Sequence, residues 1–486
     1  MAEQRVPVWK NPIMRILLIS SFTPGEISRK DISPPLSLLY VAALLRANGH
    51  EVTLLDLTPI RVPPEVEREQ FYIERIIEMF DRVKPDLVGQ NCFQSTHFSF
   101  VRRVAREVKS KNISVPFVIG GIHPTLFARE IIENCPEIDY VILGEGEVQI
   151  KELTDALSKG KKNAINGIPS IAYRDDSGLP VVTQRQGYIK DLDSIPMPAW
   201  DLVRVEDYYT DHSNWYNPRG LDIKMSVPIL TSRSCPFDCN FCSAHSMMGR
   251  GLRMHSPGRV VDEMEKLYRD YGLNYFGFVD DNLTLNKKHI MSICNEIVRR
   301  GMNIQFESFN GYNVASMDEE IVEAMSNAGC VYVIMPIEHG SDYIRNKIIG
   351  KNLPRNKIYE LAEIYKKYNL LTRGVFIMGF PEDTRETLNE TYKMMQGLQL
   401  DLYNVFTLIP FPGTRIYEQA RRDNLFINEV DADRMWDGES SLSTLDNQVF
   451  IKPYNMTIDE LLEFRKKFDK MRLNSDRVKE LQKKNN

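Results

Sequence analysis

Three cysteines crowd into eight positions of a 486-residue chain, in the run SRSCPFDCNFCSAH. Cys235, Cys239 and Cys242 follow the spacing C-x3-C-x2-C. Thiolates are soft ligands, and most 4Fe–4S clusters take four of them. Three from one loop hold three corners of an iron–sulfur cube and leave one iron open to a substrate. The same logic separates catalytic from structural zinc sites. Two other readings stay open on spacing alone. Structural zinc needs a fourth ligand, which His245 offers only at the tight spacing C-x2-C-x2-H, and a reactive or accidental cysteine cluster is also compatible. Cys92, Cys135, Cys294 and Cys330 lie in or beside apolar runs and read as core thiols. An odd total of seven favours metal ligands in a reducing compartment over a disulfide framework.

The elements that must position this loop form two α/β halves. In the second half, apolar runs at 224–234, 275–281, 304–310, 331–340, 372–381 and 403–413 are each followed by a helical pattern, such as RVVDEMEKLYRDYG or NKIYELAEIYKKYN. Six βα units in succession predict a partial (β/α)6 TIM-like barrel over 223–430. The cysteines then follow its first strand, where barrels keep their chemistry. In the first half, MRILLIS (14–20), EVTLLDL (51–57), DLVGQN (86–91), PFVIGG (116–121) and YVILGEG (140–146) alternate with amphipathic stretches. This predicts a flavodoxin/Rossmann-like doubly wound parallel sheet over 1–160. Residues 161–222, dense in Pro, Gly and charge, read as a linker, with Asp193, Pro196, Pro198 and Trp200 either anchoring it or making ordinary turns. Residues 431–486 read as a small helical C-terminal segment containing IDELLEFRKKFDKMR and a frayed end. Trp436 and Asp437 there either line a pocket or cap the barrel bottom.

Composition narrows the partners. A formal charge of −5 and no basic stripe argue against nucleic acid. No run approaches the ~20 apolar residues of a membrane span, and MAEQRVPVWKNP has no signal-peptide core. A cytoplasmic chain acting on a small molecule is expected, with a peptide substrate open.

The cysteine motif, with Phe241 as the aromatic before the third cysteine, resembles that of the radical S-adenosylmethionine superfamily. The resemblance implies that the open iron chelates the amino and carboxylate groups of S-adenosylmethionine, and that one electron then releases a 5′-deoxyadenosyl radical. A one-electron reductant such as flavodoxin or ferredoxin is implied as partner. FVDDNLT (278–284), IEHGSD (337–342), FIMGFPEDT (376–384) and PFPGTRIY (410–417) look like the family's later strand ends. By resemblance, Phe241, Asp281, Glu338, Ser341, Gly379 and Pro381 contact S-adenosylmethionine. Asp280, Asp281 and Asn282 stand where the family often carries Gly-Gly-Glu to bind the amino group.

The first domain resembles the cobalamin-binding domain found in front of many such enzymes, through SPPLSLLYVAALLRANGHEVTLLD, PDLVGQN, GGIHPT and ILGEGE. It lacks a G-x-G-x-x-G after the first strand, so a dinucleotide is not expected. The resemblance implies cobalamin contacts at Pro35, Leu36, Asn91, Thr96, Gly120, Gly121, His123, Gly144, Glu145 and Gly146. His97 is a second loop histidine. The loop SSFTPGEISRKD has no histidine, so cobalt takes no imidazole from it. The pair of cofactors implies methylation of an unactivated carbon through methylcobalamin. A cyclisation, ring rearrangement or C–C coupling uses the same cofactors, and a non-enzymatic Fe–S or cobalamin carrier is the third reading. Replacing Cys235, Cys239 and Cys242 together with alanine is expected to abolish iron binding in anaerobic preparations, measured as iron per chain.

Overall fold

The structure, a computed structural model, describes residues 12–21, 32–212, 215–427, 431, 434–438, 448–472, 476 and 478. Most of the loop after the first strand (22–31) and the chain end beyond 478 lie outside the described residues. No described helix is long and apolar enough to cross a membrane.

Strands β1 (Arg15–Ile19), β2 (Glu51–Leu55), β3 (Leu87–Asn91), β4 (Phe117–Gly120) and β5 (Tyr140–Ile142) pair in parallel in the order 2-1-3-4-5. Their apolar runs are continuous because both faces are covered. Leu17, Ile19 and Val88 bury against helix Phe98–Lys111, and Ile16, Leu18 and Leu87 pack on the opposite face with residues of Leu36–Ala47 and Glu147–Ser158. The stretch expected as a linker extends this sheet. Strands β6 (Ile171–Arg174) and β7 (Pro180–Val182) add to it antiparallel. The tight turn between them closes because Asp175 accepts from the Ser177 and Leu179 amides and Gly178 takes φ +78°. A short hairpin of this kind has too weak an alternation to stand out in a Gly- and Pro-rich sequence.

The second half carries the six expected parallel strands, β8 (Val227–Ile229), β11 (Tyr275–Phe278), β12 (Gln305–Ser308), β13 (Tyr332–Glu338), β14 (Leu371–Met378) and β15 (Leu402–Thr407). They form two triplets, 12-11-8 and 13-14-15. The triplets join at their lower ends, where Phe306 donates to Gly329 O at 2.9 Å and accepts from Val331 N at 3.2 Å. The barrel is therefore partial and open. Between β8 and β11, β9 (Ser232–Arg233) and β10 (Arg253–Met254) form an antiparallel ribbon that pins both ends of the cysteine loop.

The segments 191–212 and 215–219 strap the two halves. Asp193 holds the His255 ring at 3.0 Å and the Ser256 amide, and the Trp200 indole donates to buried Glu263 at 3.0 Å. Further on, Asn217 accepts from Gln305 at 2.9 Å and Trp215 meets the Tyr275 ring edge-on at 4.9 Å, so this piece closes the barrel's lower mouth. Helix Ile458–Asp469, opened by a Thr457/Glu460 capping box, buries Leu461, Phe464 and Phe468 on the barrel's outside. Trp436 neither lines the barrel nor caps its bottom. Its carbonyl accepts from His123 at 3.0 Å, which lays residues 434–438 on the first domain.

Gly340, after β13, shows how closely the upper loops pack. A Cβ there meets Thr391 Cα at 2.3 Å. Gly340→Ala is expected to destabilise the chain by about 1–3 kcal/mol, read as a lower urea midpoint with unchanged slope.

Candidate active site at the facing sheet edges

The cysteine loop leaves β9 through Ser234, held at φ +84° with its hydroxyl donating to Gly249 O at 2.7 Å. Asn240 clamps the loop's middle: its amide donates to Ile349 O and its carbonyl accepts from Ile416 N, both at 3.1 Å. The loop is thus tied to segments following β13 and β15. Cys235, Cys239 and Cys242 are free and half-buried. Burial pushes the Cys239 thiol up to about 12 and raises Cys242. Neutral thiols gathered on a rigid loop suit a metal group that takes them as thiolates.

Among the described residues no three His, Cys, Asp or Glu side chains stand close enough to grip a single ion. A cube spreads its thiolates over separate iron atoms and needs no such convergence. His245, the fourth ligand of the zinc alternative, has Arg250, Asp238 and Arg415 as its charged neighbours. The loop therefore fits a cluster better than a zinc ion.

Around the cysteines the strand ends carry further polar groups. Asn282 Nδ2 lies 3.6 Å from Cys235 Sγ. Asp280 is fully buried and accepts from Thr231 and Ser232, so it ties β11 to β8 and offers nothing to a ligand. Burial raises it to about 6. Asp281, next along, is exposed; partial desolvation raises its carboxyl, and it lies close enough to Cys242 to raise that thiol. Of the acidic pair, only Asp281 is open. Glu338 ends β13 after a register shift, with φ +69° and its side chain buried. A non-glycine residue there is strained, a state that concentrates at functional sites. Its carboxylate holds Lys351 Nζ at 2.6 Å. Burial alone lowers that ammonium's pKa, but Glu338 and Cys239 beside it hold it above the usual range.

The Gly379–Pro381 turn is built from below. Gly379 takes φ +94°, and the amides of Gly379 and Phe380 donate to Asp383 Oδ2 at 2.8 and 3.0 Å. Asp383 Oδ1 lies 3.0 Å from His339 Nε2, while His339 Nδ1 accepts from the Ser341 amide at 3.0 Å. That pattern fixes the proton on Nε2. Arg345, fully buried, donates to His339 O at 2.8 Å and Leu353 O at 2.9 Å. Sequence reading missed Lys351, His339, Asp383 and Arg345. His339 and Asp383 lie inside motifs already singled out, but their pairing is set by the fold. On the strands leading to the turn, a cleft of about 220 Å³ is lined by Phe241, Val375, Ile377, Phe406 and Leu408. Its apolar walls beside Phe241 suit the flat face of an adenine.

The first sheet presents its carboxyl edge to this site: a Cβ on Gly144 would meet Met247 O at 3.2 Å, and one on Gly413 would meet Leu126 at 3.0 Å. At the edge, Asn91 accepts from Ser21 N at 2.6 Å and Thr96 bonds Gln94 at 3.4 Å. Gly120 ends β4, and Gly121 follows at φ +121°, where a Cβ would lie 2.4 Å from Cys92 O. Gln90 is buried with neither amide atom partnered, and His97 Nε2 is buried and unpartnered too. Sequence reading missed Gln90, although it lies inside the PDLVGQN run. These orphan groups beside the β1/β3 switch point, under a glycine shelf, fit a broad ligand that brings its own amides, as a corrin does.

Three expected cobalamin contacts are otherwise engaged. His123 spends Nδ1 on Ser95 at 2.9 Å and Nε2 on Trp436 O, and burial lowers it to about 3. Leu36, following Pro35, packs with Leu230 toward the barrel. Glu145 binds Arg253 at 2.6 Å and Arg233 at 3.4 Å, and Glu147, capped by Gly146, binds Arg233 at 2.5 Å. These buried charges weld the last loop of the first sheet to the ribbon that precedes Cys235.

Residues 27–154 match the B12 binding domain, and residues 229–395 match the radical SAM superfamily. An uncharacterized methyltransferase of Pyrococcus horikoshii is 34% identical over 85% of each chain. The chain belongs to the cobalamin-binding radical SAM family. Cobalamin, S-adenosylmethionine and a 4Fe–4S cluster are the cofactors this membership implies, as expected from the sequence. A second relative, the anaerobic magnesium-protoporphyrin IX monomethyl ester cyclase of Rubrivivax gelatinosus, is 27% identical over 84% of this chain and 70% of its own. The radical S-adenosylmethionine methyltransferase TsrM from Kitasatospora setae, solved with cobalamin and a 4Fe–4S cluster, shares the fold with a TM-score of 0.69. It is 19% identical, covering 92% of this chain and 86% of its own.

In this radical SAM chain the inter-domain ion cluster has a pH signature. Burial alone raises the Glu147 carboxyl's pKa, but Arg233 holds it below the usual value of 4.5. Its contribution is full above that value and is lost as pH falls through the depressed one. Glu147→Gln is expected to cost about 3–5 kcal/mol at neutral pH and to flatten the acid limb of stability, measured by urea unfolding between pH 3 and 7.

Proposed function

We propose that this chain is a cobalamin-dependent radical S-adenosylmethionine methyltransferase that methylates an unactivated carbon of a small molecule. The observation that carries the reading is the meeting of two carboxyl sheet edges, one bearing the cysteine loop and the other the glycine shelf, locked by Glu145, Glu147, Arg233 and Arg253. With its groups bound, the site has a source of a 5′-deoxyadenosyl radical on one edge and a methyl group on the other. Cys235, Cys239 and Cys242 hold the cluster, with Asn282 donating toward the first sulfur. Asp281 offers its carboxylate to the amino group of S-adenosylmethionine. Phe241, Ile377 and the Gly379–Pro381 turn hold the adenine, while Asp383 and His339 keep the turn's amides fixed. Glu338 and Lys351 form a buried ion pair near Cys239, and Ser341, also buried, gives its amide to the His339 ring. The fixed edges remove the cost of bringing the two half-reactions together. A flavodoxin or ferredoxin supplies the electron.

The methyltransferase names among the relatives support this reading. The cyclase relatives favour a second one, ring closure with the same cofactors. Reduced, reconstituted protein with S-adenosylmethionine and its substrate is expected to form 5′-deoxyadenosine and S-adenosylhomocysteine together. Deoxyadenosine alone supports ring closure, and neither product from protein with an intact cluster rules out both.

A further inference from the structure

Alternation along the strands sorts the barrel's side chains into two sets. Val333, Met335, Phe376 and Met378 face the helices and are buried. Their neighbours Tyr332, Arg373, Val375 and Ile377 face inward and are only partly covered, and Phe406 on β15 is 46% exposed. The inside of this barrel is therefore a chamber, open toward the cleft at Phe241 and closed below by Trp215 and Asn217. A closed barrel fills the same space with packed side chains.

One side chain in the chamber has no internal account. Arg373 sits on the central strand of the 13-14-15 triplet, one inward position below Val375. Its Nε is buried with no partner, and its guanidinium stacks over the Tyr332 ring at 5.1 Å. Among the described residues no carboxylate comes within salt-bridge distance of it. The Tyr332 hydroxyl beside it is buried, and the nearby guanidinium is the one charged group that favours its ionised form. The acidic group whose field reaches Arg373 from across the chamber is Glu307, occupied by the Tyr275 hydroxyl at 2.9 Å and raised by burial to about 7. Arginine keeps its charge at any working pH. A guanidinium turned into the barrel with no carboxylate in salt-bridge reach is a ready partner for an oxyanion.

We propose that Arg373 anchors an oxyanion at one end of the substrate, a carboxylate or a phosphate, and that the substrate's body is apolar and runs up past Val375 and Phe406 toward the cofactors. This names the substrate class of the methyl-transfer reading and rests on it. The six residue steps from Arg373 to Gly379 span on the order of 20 Å, so the body is long. The Arg373 guanidinium fixes the distance from headgroup to reacting carbon, and the apolar wall above it suits a hydrocarbon body.

The test is calorimetric titration of the full-length holoprotein with decanoate, decyl phosphate and decanol below their aggregation concentrations. At least one of the two anions is expected to bind tenfold or more tightly than decanol, and which one does so identifies the headgroup. Arg373→Gln is expected to reduce both anions to the affinity of decanol, while Arg373→Lys keeps a preference for them. Equal affinity of all three ligands for the wild-type protein overturns the proposal without any variant being needed. So does an Arg373→Gln protein, folded by circular dichroism, that keeps the anion preference. Binding is read without turnover. A wild-type chain that prefers the anion but forms no S-adenosylhomocysteine with substrate therefore overturns methyl transfer and leaves the anchor supported.

Discussion

Arg233 and Arg253 enter the seam between the two halves from the ribbon around the cysteine loop, and Glu145 and Glu147 enter it from the last turn of the first sheet. Glu145, Glu147 and Arg233 are buried and Arg253 is largely covered, so the loss of a partner is costly. Tyr40 and Tyr188 stack on the two guanidinium groups and seal them. Such a cluster adds little net stability compared with apolar packing, but it permits few relative positions of the halves. Cys235 stands two residues beyond Arg233. The place of the metal loop relative to the first sheet therefore depends on these four charges.

The upper barrel repeats the theme on a smaller scale. The Gly379–Pro381 turn needs a positive φ and two amides pointing one way, neither of which a strand end provides by itself. Asp383 takes both amides, His339 orients Asp383, and Arg345 holds the carbonyls behind His339. Each group is buried and hydrogen-bonded to the next, so the chain of contacts is rigid. Glu338 keeps its left-handed backbone because Lys351 holds its side chain and the shifted register of β13 leaves no extended alternative. Strain at that residue is stable only because its surroundings over-determine it.

The strap makes the open barrel usable. Three of the six strands join the other three through a few hydrogen bonds near their lower ends, which leaves the interior accessible. Asn217 and Trp215 cover the bottom, on the side away from the cofactor edges. Glu263, holding Trp200, is raised by burial to about 7, a cost that the indole's hydrogen bond partly offsets. The strap is thus fixed by a few specific side chains, which is why its Pro- and Gly-rich sequence gave so little sign of structure.

Local order along the chain was legible because it rests on periodicity. Five buried runs and six more, each followed by a helical pattern, already imply two parallel α/β units, and C-x3-C-x2-C with Phe241 already implies an open iron site. Both signals lie within a few residues of one another. The pairings between distant residues were not legible: Glu147 with Arg233, His339 with Asp383, His123 with the Trp436 carbonyl, and the solitary Arg373 inside the barrel. In sequence, Glu145 belongs to a glycine-rich loop that suits a ligand, and only the docking of the second domain turns it into a brace. A charge acquires its role from what surrounds it once water is gone, and that surrounding is set by folding rather than by spacing.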